Sequence, residues 1–150
     1  QHQLRLTDIQ KVIDGMGPLP GALEFLDAMR ERFQVIILSD TFYEFADPLM
    51  RQLGRPTLFC HRLVVDGDGK VRNYKLRQPD QKRAAVNALK SLNYRVMAAG
   101  DSYNDTGMLL AADAGFFIHA PPAIAAQFPQ FPQTHSYAEL KAAVDASAAA

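Results

Sequence analysis

The chain has 150 residues, with 16 basic and 16 acidic side chains, zero formal net charge and a hydrophobic share of 48%. That neutral balance lacks the basic footprint of a nucleic-acid binder. The single cysteine, Cys60, excludes an internal disulfide and suits a reducing cytoplasm, and no apolar run is long enough to span a membrane. The apolar share is enough for a core, and the length predicts one domain. The first residue is Gln1 rather than Met, which predicts a processed or trimmed chain, or one taken from within a longer one.

Residues 1–16 read as a helix. Leu6, Ile9, Val12, Ile13 and Met16 recur at three- and four-residue spacing, and Thr7 or Asp8 can cap the start. Gly15 and Gly17-Pro18 end it. Pro20 suits the first position of a second helix running to about Arg32. Residues 33–38 are nearly all apolar, as in a strand buried on both faces. They lead into Ser39-Asp40-Thr41, a hydroxyl–acid–hydroxyl cluster at the expected strand tip. A helix over 44–53 follows, ended by Gly54.

Residues 57–60 predict a further strand. The β-type runs 62–65 and 70–74 flank Asp66-Gly67-Asp68-Gly69, a hairpin signal. The same four residues resemble the start of a calcium loop. That pattern fails, because Lys70 stands at its fifth position and Arg77 at its twelfth. Residues 80–92 predict an amphipathic helix. Lys82 falls in its first turn, where a cation opposes the helix dipole. A surface lysine is the plain reading, and a phosphate clamp the functional one.

Residues 96–99 then read as a strand that stops at Gly100. After it come Asp101, Ser102, Asn104, Asp105 and Thr106, followed by a helical run. Strand, glycine turn, acidic cluster and helix is the layout of a ligand site at the carboxyl end of a strand. Asp101 at the tip can hold Mg²⁺ with waters completing the shell. Asn104 and Asp105 fall in the expected first helical turn, where amide N–H groups favour anions. Asp101 or Ser102 can instead be an ordinary cap. Two carboxylates, an amide and two hydroxyls exceed what a cap needs, and like charges so close repel unless a cation or hydrogen bonds compensate them. Residues 114–118 predict a last strand, 119–122 a break, 128–132 an irregular loop with packed aromatics, and 137–146 a terminal helix. His119 and His135 lack metal-ligand spacing and read as structural or surface residues.

Three features stand in one order: Ser39-Asp40-Thr41, Lys82, and Gly100-Asp101-Ser102-Tyr103-Asn104-Asp105. With the stretches 37–45, 49–54 and 98–106, they resemble the haloacid dehalogenase superfamily of phosphatases. The resemblance is strongest to its branch of bacterial phosphoserine phosphatases that also act as homoserine phosphotransferases, and it runs from Asp8 to about Leu140.

The resemblance implies an α/β fold, a Rossmann-like parallel sheet flanked by helices with a small β-hairpin. Residues 1–16 would be a remnant of the cap region and 17–150 the core domain. It also implies that Ser39, Asp40, Thr41, Lys82 and Asn104 bind the phosphorylated substrate. Lys82 would further orient the nucleophile, Asp101 would hold Mg²⁺, and Asp105 would support the metal site. The partner implied is a small phosphoserine-like metabolite of serine biosynthesis, in the cytoplasm, with no nucleic acid and no membrane. A homodimer is left open.

One departure is large. The family transfers the phosphoryl group to an aspartate of an Asp-x-Asp or Asp-x-Glu motif at the tip of its first strand. No such motif stands in these residues, since Asp14 follows a helix pattern and Asp66–Asp68 form the hairpin. The expectation is a fold whose first central strand and most of whose cap are absent, and a Mg²⁺-dependent phosphomonoester hydrolase that is inactive as this chain. A non-catalytic remnant that keeps phosphate and Mg²⁺ binding is the alternative. A different doubly wound nucleotide binder is disfavoured, because no Gly-x-Gly-x-x-Gly follows a strand.

Overall fold

A computed structural model describes residues 5–150, which form two compact units divided between Pro79 and Asp80. Among the described residues no helix is long and apolar enough to cross a membrane.

The first unit contains α1 (Leu6–Asp14), α2 (Ala22–Arg30), β1 (Ile36–Phe42), α3 (Tyr43–Gln52), β2 (Thr57–Val65) and β3 (Val71–Lys75). Its sheet has the order β1-β2-β3, with β1 parallel to β2 and β3 antiparallel. In α1 the half-buried Leu6, Ile9 and Ile13 form the inner stripe, while Val12 and Met16, expected on it, are 69% and 59% exposed. The Gln10 amide donates to the Glu44 carbonyl at 2.8 Å and ties α1 to α3. The second helix starts later than Pro20 suggests. Gly21 precedes it with φ +83°, a left-handed conformation that glycine adopts without steric cost.

The strand expected at 33–38 is displaced to Ile36–Phe42, and no residue in it is fully buried. The physical reason is its place in the sheet: among the described residues β1 pairs with a strand on one side only. Its apolar run reads like an interior strand, but it has no cover of that kind among the described residues. The strand expected to stop at Cys60 continues to Val65, because Cys60 and His61 are both buried and carry the chain into the hairpin without a break. Residues 66–69 form the turn. The Asp66 carboxylate accepts the N–H groups of Asp68 and Lys70 at 3.0 and 2.9 Å and the Arg72 Nε–H at 2.6 Å. Gly69 supplies φ +78°.

The second unit contains α4 (Gln81–Ser91), β4 (Met97–Gly100), a 3₁₀ turn (Tyr103–Asp105), α5 (Thr106–Ala111), β5 (Ala114–Ile118), α6 (Pro122–Ala125), β6 (Gln133–Thr134) and α7 (Tyr137–Ala149). Its sheet is all parallel, in the order β4-β5-β6, and among the described residues β4 likewise pairs with a strand on one side only. The core gathers around β5, where Phe117 is 0% exposed and Leu109 and Val86 are each 1% exposed. The aromatics of 128–132 pack down as expected, Phe131 meeting Phe117 edge-to-face at 5.6 Å. Helix–strand packing is close at Gly115, where an added Cβ would lie 2.9 Å from the Phe131 ring and 3.0 Å from the Leu109 carbonyl. Helix α7 is capped by Ser136, whose hydroxyl accepts the Glu139 N–H at 3.2 Å, while Glu139 in return accepts the His135 N–H at 2.7 Å.

Candidate active site

Asp105 is the centre of the polar cluster in the second unit. It lies at the end of the 3₁₀ turn and is 5% exposed. One carboxylate oxygen, Oδ1, accepts from the Lys82 ammonium at 2.8 Å. The other, Oδ2, accepts the N–H groups of Asp101 at 3.0 Å and Ser102 at 3.1 Å, and the Ser102 hydroxyl at 3.1 Å. Burial disfavours its charge. The Lys82 hydrogen bond and charge, together with the two backbone donors, outweigh that and hold the carboxyl below its ordinary value of 3.8.

Lys82 is therefore not a surface lysine, since its side chain is only 12% exposed. It stands in the first turn of α4, where the dipole opposes it, and the buried carboxylate compensates. Asp80, just before α4, adopts a left-handed conformation (φ +46°) and pairs with Arg83 rather than capping the helix with its side chain.

Gly100 makes the geometry available. A Cβ at this position would overlap Asp105 Cβ and approach its Cγ and Oδ2 to 2.7 Å. Asp105 folds back over the strand end only because Gly100 leaves room.

Asn104 and Asp105 lie in a three-residue 3₁₀ turn rather than in the first turn of a long helix, and α5 is only six residues long. The amide N–H groups of Asp101 and Ser102 are both taken by Asp105. Asp105 also reaches back to the Ser102 N–H as the acid of a capping box does. Ser102 thus serves as the cap that sequence reasoning weighed against function. Asp101 and Asn104 both stay exposed at the carboxyl end of β4, and only the backbone N–H of Asp101 enters the described hydrogen bonds.

In the first unit, Ser39, Asp40 and Thr41 lie within β1, where the pairing with β2 breaks between Leu38 and Phe42. The Ser39 hydroxyl accepts the Thr41 N–H at 3.3 Å, a tight local turn of the chain. Asp40 is exposed, and its Oδ1 lies 3.8 Å from Nε2 of His61, which is 8% exposed. Nδ1 of His61 accepts the Arg77 N–H at 3.1 Å, so the neutral ring carries its proton on Nε2, towards Asp40. An ionised carboxylate is acceptor-only, so the Asp40 carboxylate does not donate to a phosphate oxygen.

Sequence reasoning missed His61. His61 follows Cys60 in a strand-forming run, but its pairing with Phe42, directly after Thr41, shows only in the fold. It also missed the Arg77–Tyr43 pair beside it, in which Arg77 donates to the Tyr43 hydroxyl at 2.7 Å and that hydroxyl donates to the Leu58 carbonyl at 2.6 Å. Burial raises the neighbouring Cys60 thiol to about 11, which makes it unreactive at neutral pH. His119 ends β5 in a left-handed conformation (φ +53°), with its ring against Tyr137.

Mg²⁺ demands hard oxygen ligands and keeps several waters. Asp101 fits as one such ligand, an exposed carboxylate at a strand end. Among the described residues no group of three His, Cys, Asp or Glu side chains gathers at one point.

The profile of haloacid dehalogenase-like hydrolases matches residues 3–113. The chain is 62% identical over 141 residues to a phosphoserine phosphatase of Pseudomonas syringae pv. tomato, covering 94% of this chain and 60% of that protein. It is 61% identical to the phosphoserine phosphatase ThrH of Pseudomonas aeruginosa, covering 94% of this chain and 69% of that one. The chain thus spans between three fifths and seven tenths of the length of these two relatives. A crystal structure of the phosphoserine phosphatase from T. onnurineus superposes with a TM-score of 0.72 at 24% identity, over 92% of this chain and 64% of that one, and shows the same fold. By the profile match and by these relatives, the chain belongs to the haloacid dehalogenase-like hydrolase family.

Proposed function

We propose that this chain carries the metal- and phosphate-handling residues of a Mg²⁺-dependent phosphomonoester hydrolase that acts on phosphoserine or a close analogue. The observation that carries the reading is the buried Lys82–Asp105 pair, joined through the Asp101 N–H to the end of β4. A buried cation oriented by a buried carboxylate is costly for a fold that needs only stability. It is what a site needs when negative charge must be met at a fixed point.

In this reading Lys82 meets the charge of the phosphoryl oxygens, held in place by Asp105. Asp105 keeps both the lysine and the turn in position and does not itself touch substrate. Asp101 would be the protein ligand of the cation, which when bound neutralises phosphoryl charge. Asn104 would offer its amide to the substrate. Ser39 and Thr41 would offer hydroxyl donors, as the family resemblance assigns Ser39. Phosphoryl transfer needs little else from a protein than such positioning. The Asp66–Asp68 pair is committed to the hairpin turn and does not serve as the phosphoryl acceptor. The family match and the two phosphoserine phosphatase relatives support the reaction and its substrate class.

Asp101 tests the reading without disturbing the fold, because its side chain is exposed and supports no described contact. In the protein as its gene encodes it, Asp101→Ala is expected to lower Mg²⁺-dependent turnover of phosphoserine by at least about 100-fold. Its unfolding midpoint should stay where the unsubstituted protein has it. Turnover in the variant that still rises with added Mg²⁺ would remove Asp101 from the metal site.

A further inference from the structure

Tyr103 lies between the residues assigned above and is used by none of them. It follows Ser102 and precedes Asn104 at the carboxyl end of β4, and it is 61% exposed. A single exposed aromatic is unremarkable by itself. This one is held in place. Its ring meets the Phe128 ring edge-to-face, with centroids 6.3 Å apart. Phe128 in turn stacks on Phe131 at 6.2 Å with planes 20° apart, and meets the fully buried Phe117 at 6.5 Å. The backbone is pinned as well. The Tyr103 carbonyl accepts the Thr106 hydroxyl at 2.8 Å, and the Ser102 carbonyl accepts the Asp105 N–H at 3.0 Å. One edge of the ring thus rests on the core through Phe128 while most of its surface stands open to solvent, next in sequence to the exposed Asn104.

The chemistry of the ring limits what it can take. An aromatic face carries a negative quadrupole, so it repels phosphate and carboxylate and attracts an ammonium group or an apolar carbon chain. We propose that Tyr103 is a substrate-contact residue, whose ring face takes the ammonium-bearing carbon chain of the ester while the phosphate lies towards Lys82. The inference rests on the reading of the site as a phosphoserine-type hydrolase. It adds a determinant, within the core fold, for the part of the substrate that is not phosphate.

Two variants of the protein as its gene encodes it, with two ligands, test this. Tyr103→Leu keeps an apolar side chain and removes the π face, and Tyr103→Phe keeps the face and removes the hydroxyl. The ligands are phosphoserine as substrate and ethyl phosphate, which lacks the amine, as competing inhibitor. Tyr103→Leu is expected to raise KM for phosphoserine by about two- to thirty-fold at unchanged kcat. It should leave the inhibition constant of ethyl phosphate where it was, and Tyr103→Phe should behave as the unsubstituted protein. An unchanged KM in Tyr103→Leu overturns the proposal. So does an equal loss for both ligands, which would mean that Tyr103 merely holds the turn, or a Tyr103→Phe variant as impaired as Tyr103→Leu. An unsubstituted protein that turns over no phosphoserine overturns the functional reading and this inference with it. Turnover with an unaltered Tyr103→Leu overturns this inference alone.

Discussion

Replacing Lys82 with methionine is expected to destabilise the fold by about 3–5 kcal/mol, the cost of leaving one member of a buried ion pair uncompensated. The two side chains are 12% and 8% exposed, so little water reaches the carboxylate left behind. The two backbone N–H groups and the Ser102 hydroxyl on Oδ2 remain, which places the loss towards the lower end of that range. A larger methionine–asparagine replacement of both partners should recover part of the loss, because no charge then stays buried.

The pH dependence carries the sharper signature. In the unsubstituted protein the folded pKa of Asp105 lies below the ordinary 3.8. Its contribution is therefore fully present above about pH 4 and is lost as pH falls through the folded value, because the unfolded state binds the proton first. In Lys82→Met the largest remaining influence on Asp105 is burial, which raises the pKa. The depression is then smaller, so the variant loses less stability than the unsubstituted protein as pH falls below about 4. Urea denaturation of both proteins at about pH 5 and about pH 3 reads this. An equal loss in the two proteins would contradict it.

Gly100→Ala should be nearly as damaging, for a steric reason. The added methyl would overlap the Asp105 side chain, with Cγ and Oδ2 at 2.7 Å. Nothing nearby is a flexible chain end, because Asp105 is held by Lys82 on one oxygen and by the strand end on the other. Either β4 or the carboxylate must move, at a cost of about 1–3 kcal/mol. A displacement of the carboxylate carries Lys82 with it. Turnover should fall about 100-fold, as expected when a positioned group moves by roughly an ångström. Gly67→Ala is the control: a Cβ there meets nothing within 4 Å, and stability should stay within about 0.5 kcal/mol. Equal effects from the two substitutions would contradict the close approach at Gly100.

What was legible in the sequence follows from range. The helix at α4, the strand at β5, the Asp-Gly hairpin and the packing of Phe131 all rest on local pattern, and all are present in the fold. The failures are of longer reach. Strand β1 looked doubly buried from its apolar run, but burial depends on neighbours that a run of residues cannot show. Strand β6 is two residues long, too short for any periodicity, and exists because the Thr134 hydroxyl and backbone reach β5. His61 escaped notice because its partners, Asp40 and the Arg77 N–H, lie 21 and 16 positions away.

The acidic cluster shows the same division. The crowding after Gly100 signalled that something must compensate the charges, and Lys82 stood out as a cation in the wrong helix turn. Only the fold shows that Asp105 is compensated by Lys82, and that it also takes the amides of Asp101 and Ser102.

The most direct test of the functional account is release of inorganic phosphate from phosphoserine by the protein as its gene encodes it. It is measured after metal removal by a chelator and again on Mg²⁺ addition. The account predicts turnover that is absent without the cation, restored by Mg²⁺, and lost again in Asp101→Ala. Turnover indifferent to chelation would contradict the assignment of Asp101, and no phosphoserine turnover with Mg²⁺ present would contradict the proposed function itself.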